Sequence, residues 1–226
     1  MYDDLQLELE NFSTVDRAAE EIRRALFAGQ IEPGTPLREV ALSEAMGVAR
    51  STIREALGIL VAEGIAVRFP NKGVAVKALT ADDVRDVSRA RAALETAGVR
   101  RWAGASEAAR QQARDALSRY GELALGTTDP ATLTEAHLQI HRALVGLTGS
   151  DRLLAASDAL SSEIRLGLAQ LDRTRANLAQ QVTEHQHLID LIEREQLAEA
   201  IAELDRHLAV AEASLLTATG HGTIGA

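Results

Sequence analysis

Apolar residues recur at three- and four-residue intervals through most of this chain, and glycines punctuate them. Val15, Ala18, Ile22 and Leu26 share one face of a helix over Thr14–Ala28, stopped near Gly29. Pro33-Gly34-Thr35-Pro36 reads as a turn. Leu37 to Met46 is helix-compatible, and Gly47 breaks it, because glycine accepts the left-handed backbone of a tight turn. A third run, from about Arg50 to Glu63, places Ile53, Leu57, Leu60 and Val61 on a buried face. It places Arg50, Ser51 and Arg54 on the opposite face near its start, and Gly64 ends it. The period then shortens. Ile65–Phe69 and Val74–Lys77 read as strands joined by Pro70-Asn71-Lys72-Gly73. Helix, turn, helix and two-stranded wing form a DNA-reading arrangement, in which the second helix of the pair presents its first residues to base edges in the major groove.

From Thr80 the pattern is helical only. Thr80 and Asp83 make a cap-and-acid helix start. Periodicity predicts helices at roughly 81–104, 106–125, 131–147, 151–171, 174–195 and 197–218, with breaks at glycine-, serine- and proline-bearing turns. The chain therefore divides into an acidic tail (1–12), a winged helix-turn-helix domain (13–78), an all-α domain (79–219) and a short tail (220–226).

Composition agrees with a mainly α protein: aliphatic residues and alanine dominate, and aromatics are 3%. There are no cysteines, which excludes disulfides and thiolate metal sites. No apolar run approaches the ~20 residues of a membrane span, and the N-terminus does not read as a signal peptide, so the expectation is a soluble, cytoplasmic protein with no membrane partner. A net charge of -9 is unusual for a DNA binder, but the acid is unevenly spread. Residues 13–78 carry nine Lys or Arg against eight Asp or Glu, whereas residues 79–226 carry fifteen against twenty-one. Both lysines, Lys72 and Lys77, fall in the wing. A locally basic surface suffices to bind phosphate.

Four of the six histidines carry candidate chemistry. His137 and His141 are four residues apart on one helix face. His185 has Leu188, Ile189 and Ile192 at helical spacing, and His207 has Leu204 and Val210 three residues to either side. Three helices thus point imidazole inward. Satisfied core histidines are one reading. A metal site in a bundle core is the other, and imidazole suits zinc, nickel, copper or iron. His187, among Glu184, Asp190 and Arg194, lies on a solvated face.

The order PGTPLRE, GVARSTIREAL, EGIAVRFPNKG resembles the winged helix-turn-helix of the GntR family of bacterial transcription regulators. The helical half resembles the ligand-binding FCD domain of its FadR-type subfamily, so that the likeness spans roughly 14–216. It implies an antiparallel helical bundle and DNA contacts from Arg50 and Arg54 to guanine edges or phosphate, from Ser51 and Thr52 to backbone, and from Lys72 and Gly73 at the wing tip. Two positions depart. Ala49 stands where the family usually has Ser or Thr, and Val40 where many relatives have arginine, with Arg38 as a candidate substitute. The resemblance also implies a divalent metal held by His141, His185 and His207. His137 occupies the position of the family's aspartate. Four imidazoles form a neutral set, and nitrogen-only ligation leans to zinc or nickel.

Arginines near the bundle interior are candidates to clamp a carboxylate effector. Arg91 stands where relatives often have an arginine, and Arg165 is the second. For each, an ordinary ion pair is the alternative. The expectation is a non-enzymatic regulator: a homodimeric repressor on a pseudo-palindromic double-stranded operator, responding to a small organic acid and holding a divalent metal. A regulator that senses the metal directly is the alternative. A histidine-ligated metalloenzyme is a weaker one, since no HExxH and no general base stand out.

Overall fold

The computed structural model describes residues 13–126, 129–171 and 178–220. The acidic tail, the loop expected at Asp172-Arg173 and His221 fall outside them. Helix α1 is Thr14–Phe27, β1 Pro36–Leu37, α2 Glu39–Met46, α3 Arg50–Ala62, β2 Ala66–Phe69 and β3 Gly73–Val76. The helical part follows as α4 Ala81–Val99, a 3₁₀ turn Trp102–Gly104, α5 Glu107–Gly126, α6 Pro130–Gly146, α7 Asp151–Leu171, α8 Leu178–Glu193 and α9 Leu197–Ala218.

Local chemistry accounts for the boundaries. Ser13 and Thr80 each accept a bond from the backbone N–H three residues on, and Asp16 and Asp83 in turn accept one from the N–H of the capping residue. Asp129 caps α6, whose first residue is Pro130. Gly47, at φ 64°, makes the turn between α2 and α3. Ala49 precedes α3 without a side-chain cap, as its methyl requires. The helix expected to run through 104 ends at Val99 and continues as the 3₁₀ turn.

The wing contains one strand more than its pattern suggests. Pro36–Leu37 pairs antiparallel with β3, and β3 pairs with β2, giving the order β1-β3-β2. Two residues, one of them a proline, carry too little periodicity to read as a strand. Lys77 also differs from expectation. Its Nζ lies 2.5 Å from Glu163 on α7, so it joins the winged domain to the bundle instead of lining the wing.

Three apolar clusters organise the molecule. The winged core is built from Ile22, Leu26, Ile53, Leu57, Leu60 and Ile65, and it includes Leu166 from α7. The bundle core packs Trp102, Tyr120, Ile140, Leu144, Ile192 and Leu204. Between them Leu79, Val84, Leu138, Ile164, Leu168 and Leu215 form a third cluster. Successive residues of α7 thus serve different neighbours: Ile164 and Leu168 face the bundle side, Leu166 the winged core. Helices α4 and α6 approach so closely that a Cβ built on Gly98 would stand 1.8 Å from the Leu144 carbonyl oxygen. That approach brings Glu95 of α4 against the histidines of α6.

Candidate metal centre and nucleic-acid interface

The four singled-out histidines converge. Their ligand atoms lie within 4.8 Å of one another, and all four side chains are buried. Nε2 of His137 is 3.1 Å from Nε2 of His185 and 3.1 Å from Nε2 of His141; the third side of the triangle, His185 to His141, is 3.2 Å. His207 stacks on His141 with ring centroids 5.2 Å apart, and its Nε2 is buried without a hydrogen-bond partner. Helix α6 supplies two of the set because residues four apart share a face. Helices α8 and α9 supply one each.

The outer nitrogens set the tautomers. His185 Nδ1 is 2.6 Å from the Gln181 carbonyl, which can only accept, so Nδ1 carries the proton. His141 Nδ1 is 2.8 Å from Glu95 Oε2. Glu95 is itself 1% exposed and takes a bond from Arg91 Nε at 2.5 Å on its other oxygen. Both histidines therefore turn an Nε2 lone pair inward. Burial pushes the His141 imidazole well below its usual range, reinforced by the nearby Arg91 guanidinium. Burial also lowers His185, against the Gln181 carbonyl, and takes His207 down to about 3. The same desolvation raises Glu95, with Arg91 opposing it. Burial thus favours the neutral form of His141, His185 and His207, which is the protonation state that metal coordination needs. Arg91 Nη2 is buried and unpartnered beside it.

Sequence reasoning sets Glu95 beside Arg91 but does not reach its second partner, His141, 46 residues away. A buried i,i+4 Arg–Glu pair on an amphipathic helix was the available signal.

At the other end of the molecule the recognition residues sit on an open surface. Arg50, Ser51 and Arg54 are exposed at the start of α3, and Thr52 is half-buried. Arg38 is exposed at the residue before α2, and Lys72 and Gly73 are exposed in the wing turn. Arg54 makes a forked contact with Glu39, Nε at 3.0 Å and Nη2 at 2.7 Å, and Arg50 lies 3.9 Å from the same carboxylate. Hydrogen bonding from Arg54 holds Glu39 below its usual range, with Arg50 and Arg68 adding to it. Arg68, on the exposed side of β2, thus belongs to this cationic face, although the sequence pattern did not single it out.

Residues 14–76 match the bacterial regulatory proteins of the gntR family, and residues 86–210 match the FCD domain. The chain belongs to the GntR family. It is 29% identical to the Nta operon transcriptional regulator of Aminobacter aminovorans over 182 residues, covering 77% of this chain and 83% of that one. It is 40% identical to the gluconate operon transcriptional repressor of Bacillus licheniformis over 88 residues, 39% of this chain and 36% of that one. A crystal structure of a GntR regulator from Rhodococcus sp. RHA1 superposes with a TM-score of 0.76 at 26% identity, covering 91% of this chain and 99% of that one. Like its relatives, this GntR protein is a transcriptional regulator and not an enzyme. No helix among the described residues is long and apolar enough to cross a membrane.

Within this GntR protein the two candidate effector arginines separate. Arg91 reaches the histidine cluster through Glu95. Arg165 lies where α7 meets the winged domain: it pairs with Glu135 of α6, and its guanidinium sits 4.4 Å from the ring centre of Phe27 on α1.

Proposed function

We propose that this GntR-family regulator is a homodimeric repressor with a divalent metal, zinc or nickel, among His137, His141, His185 and His207, released from a pseudo-palindromic operator by a small organic acid. The observation that carries the metal is the Nε2 triangle. Two of its corners, His141 and His185, are acceptors by tautomer, and two acceptors 3.2 Å apart repel unless a cation, or an N–H such as that of His137 Nε2, lies between them. The buried, unpartnered His207 Nε2 supplies a fourth donor that otherwise goes unsatisfied. An all-imidazole set favours zinc or nickel over the hard oxygen-seeking dications. When bound, the metal supplies positive charge and an exchangeable position for a carboxylate. Glu95 holds His141 in the tautomer that presents Nε2, and Arg91 Nη2 is the donor that would receive the second oxygen of an organic acid. The exposed Arg50, Arg54 and Arg68 face supports the reading of DNA, with Ser51, Thr52, Arg38 and Lys72 on backbone phosphates. One recognition helix per chain reads too short a sequence alone, which supports two half-sites and two copies.

The burial of all four histidines favours a second reading, in which the metal itself is the signal. One experiment separates the two. A duplex selected from random DNA by the protein is titrated with metal-loaded and chelated protein, with and without a panel of small organic acids. Release by an acid only when metal is present supports the first reading. Release or capture on metal removal alone, with no acid effective, supports the second. Equal binding under every condition contradicts both.

A further inference from the structure

Phe69 is 46% exposed and belongs to none of the apolar clusters. It is the last residue of β2, and its cross-strand partner is Gly73, which has no side chain to cover the ring. The turn that carries it is tight. Pro70 fixes its own φ, Asn71 is left-handed at φ 61°, Gly73 stands at φ 87°, and the Lys72 N–H donates to the Phe69 carbonyl at 3.1 Å. Two exposed cations lie close to it in the chain, Arg68 on the other face of β2 and Lys72 in the turn. Arg68 acts on Glu39 together with Arg50 and Arg54, so this edge of the wing is continuous with the cationic face of the recognition helix.

The exposed ring therefore stands in a wing that also presents two exposed, phosphate-seeking cations. We propose that Phe69 is an apolar contact of the wing with the DNA minor groove, packing its ring on sugar and base edges at the flank of each half-site and loosening the stacking of the step it meets. This rests on the DNA-binding reading above. Side chains of this type wedge minor-groove steps that unstack easily, and pyrimidine–purine steps are the most deformable. The ring then adds a preference at flanking positions that no arginine contacts. Self-association through the ring is the competing occupant, and the test distinguishes it.

The experiment uses the full chain and a duplex that the wild-type protein selects from a random pool, with 2-aminopurine placed at flanking steps. Phe69→Ala, Phe69→Leu and Lys72→Ala are compared with wild type for affinity, salt dependence, fluorescence and sedimentation. Phe69→Ala is expected to bind about tenfold more weakly, the factor that ~1.4 kcal/mol converts to. Its salt slope is expected to stay unchanged, because no charge is lost. The 2-aminopurine enhancement seen with wild type should disappear, and Phe69→Leu should fall between. Lys72→Ala should instead reduce the salt slope. Equal affinity and equal fluorescence for Phe69→Ala and wild type would overturn the proposal, as would an effect on sedimentation with DNA binding intact. Failure of the wild type to select any duplex would strike the DNA reading itself.

Discussion

Glu39 and Glu95 are both glutamates facing arginine, yet the molecule treats them in opposite ways. Glu39 takes two contacts from Arg54 on an exposed face, and its carboxyl is held below its ordinary range. Glu95 takes one from Arg91 and meets one imidazole in a sealed interior, and its carboxyl is raised. Water makes the difference. At the surface the charge keeps its hydration and the arginine only adds to it. In the core desolvation opposes the charge, and the pair persists only because both partners are fixed. The first site can exchange its partner for a DNA phosphate at little cost. The second cannot lose a partner without leaving an uncompensated buried group, which suits a site meant to hold its geometry.

The largest expected break in this comparison is Glu95→Ala. Removing one partner of a buried pair leaves Arg91 and His141 unsatisfied, and the expected loss is about 3–5 kcal/mol in urea unfolding. Gly98→Ala comes next. Its methyl meets the Leu144 carbonyl, so α4 and α6 must part, at a cost of roughly 1–3 kcal/mol or more. Because that movement draws Glu95 away from His141, metal affinity should fall with stability. Intact stability together with intact metal affinity would show that the helices have more freedom than the structure gives them.

The pH dependence follows from the buried imidazoles. His141, His185 and His207 have folded values below the unfolded one, His207 at about 3. As pH falls below ~6.5 the unfolded chain takes protons that the folded one refuses, so stability drops with pH. The metal-free protein should lose up to ~1.4 kcal/mol per pH unit through His207 between about pH 6 and 4, with His141 and His185 adding in the same direction. His207→Gln should flatten that slope by one proton, as read from urea melts across the range. An unchanged slope would return His207 to an ordinary titration. The smallest effect is expected for Glu39→Gln. Its stability should match wild type in the same melts, while DNA affinity should rise because Arg54 and Arg50 are freed for phosphate. A large loss of stability would remove the contrast between the two glutamates.

Much of this arrangement was legible in the chain, and the exceptions share a cause. The helices appear near where three- and four-residue periodicity placed them, because burial of one face is a local property, although α4 stops at Val99. The histidines converge because each sits on the apolar side of its own helix. What the pattern missed depends on contacts far along the chain. Glu163 is 86 residues from Lys77, and without it Lys77 reads as a wing cation. Phe27, on the first helix, receives Arg165 of α7 at 4.4 Å, a contact that no local pattern announces. Glu95 could be paired with Arg91 on its own helix but not with His141 on α6, and Arg68 went unremarked because Glu39 lies on another element. Pro36–Leu37 was missed because two residues have no period.

The central claim is that the buried imidazoles form a metal centre. Its most direct test is elemental analysis of untagged protein beside thermal melts with zinc, nickel and chelator. The account predicts one zinc or nickel per chain, a melting temperature raised by metal and lowered by chelation through mass action, and loss of both in His141→Ala. No stoichiometric metal, with melts indifferent to zinc, nickel and chelator, would contradict it.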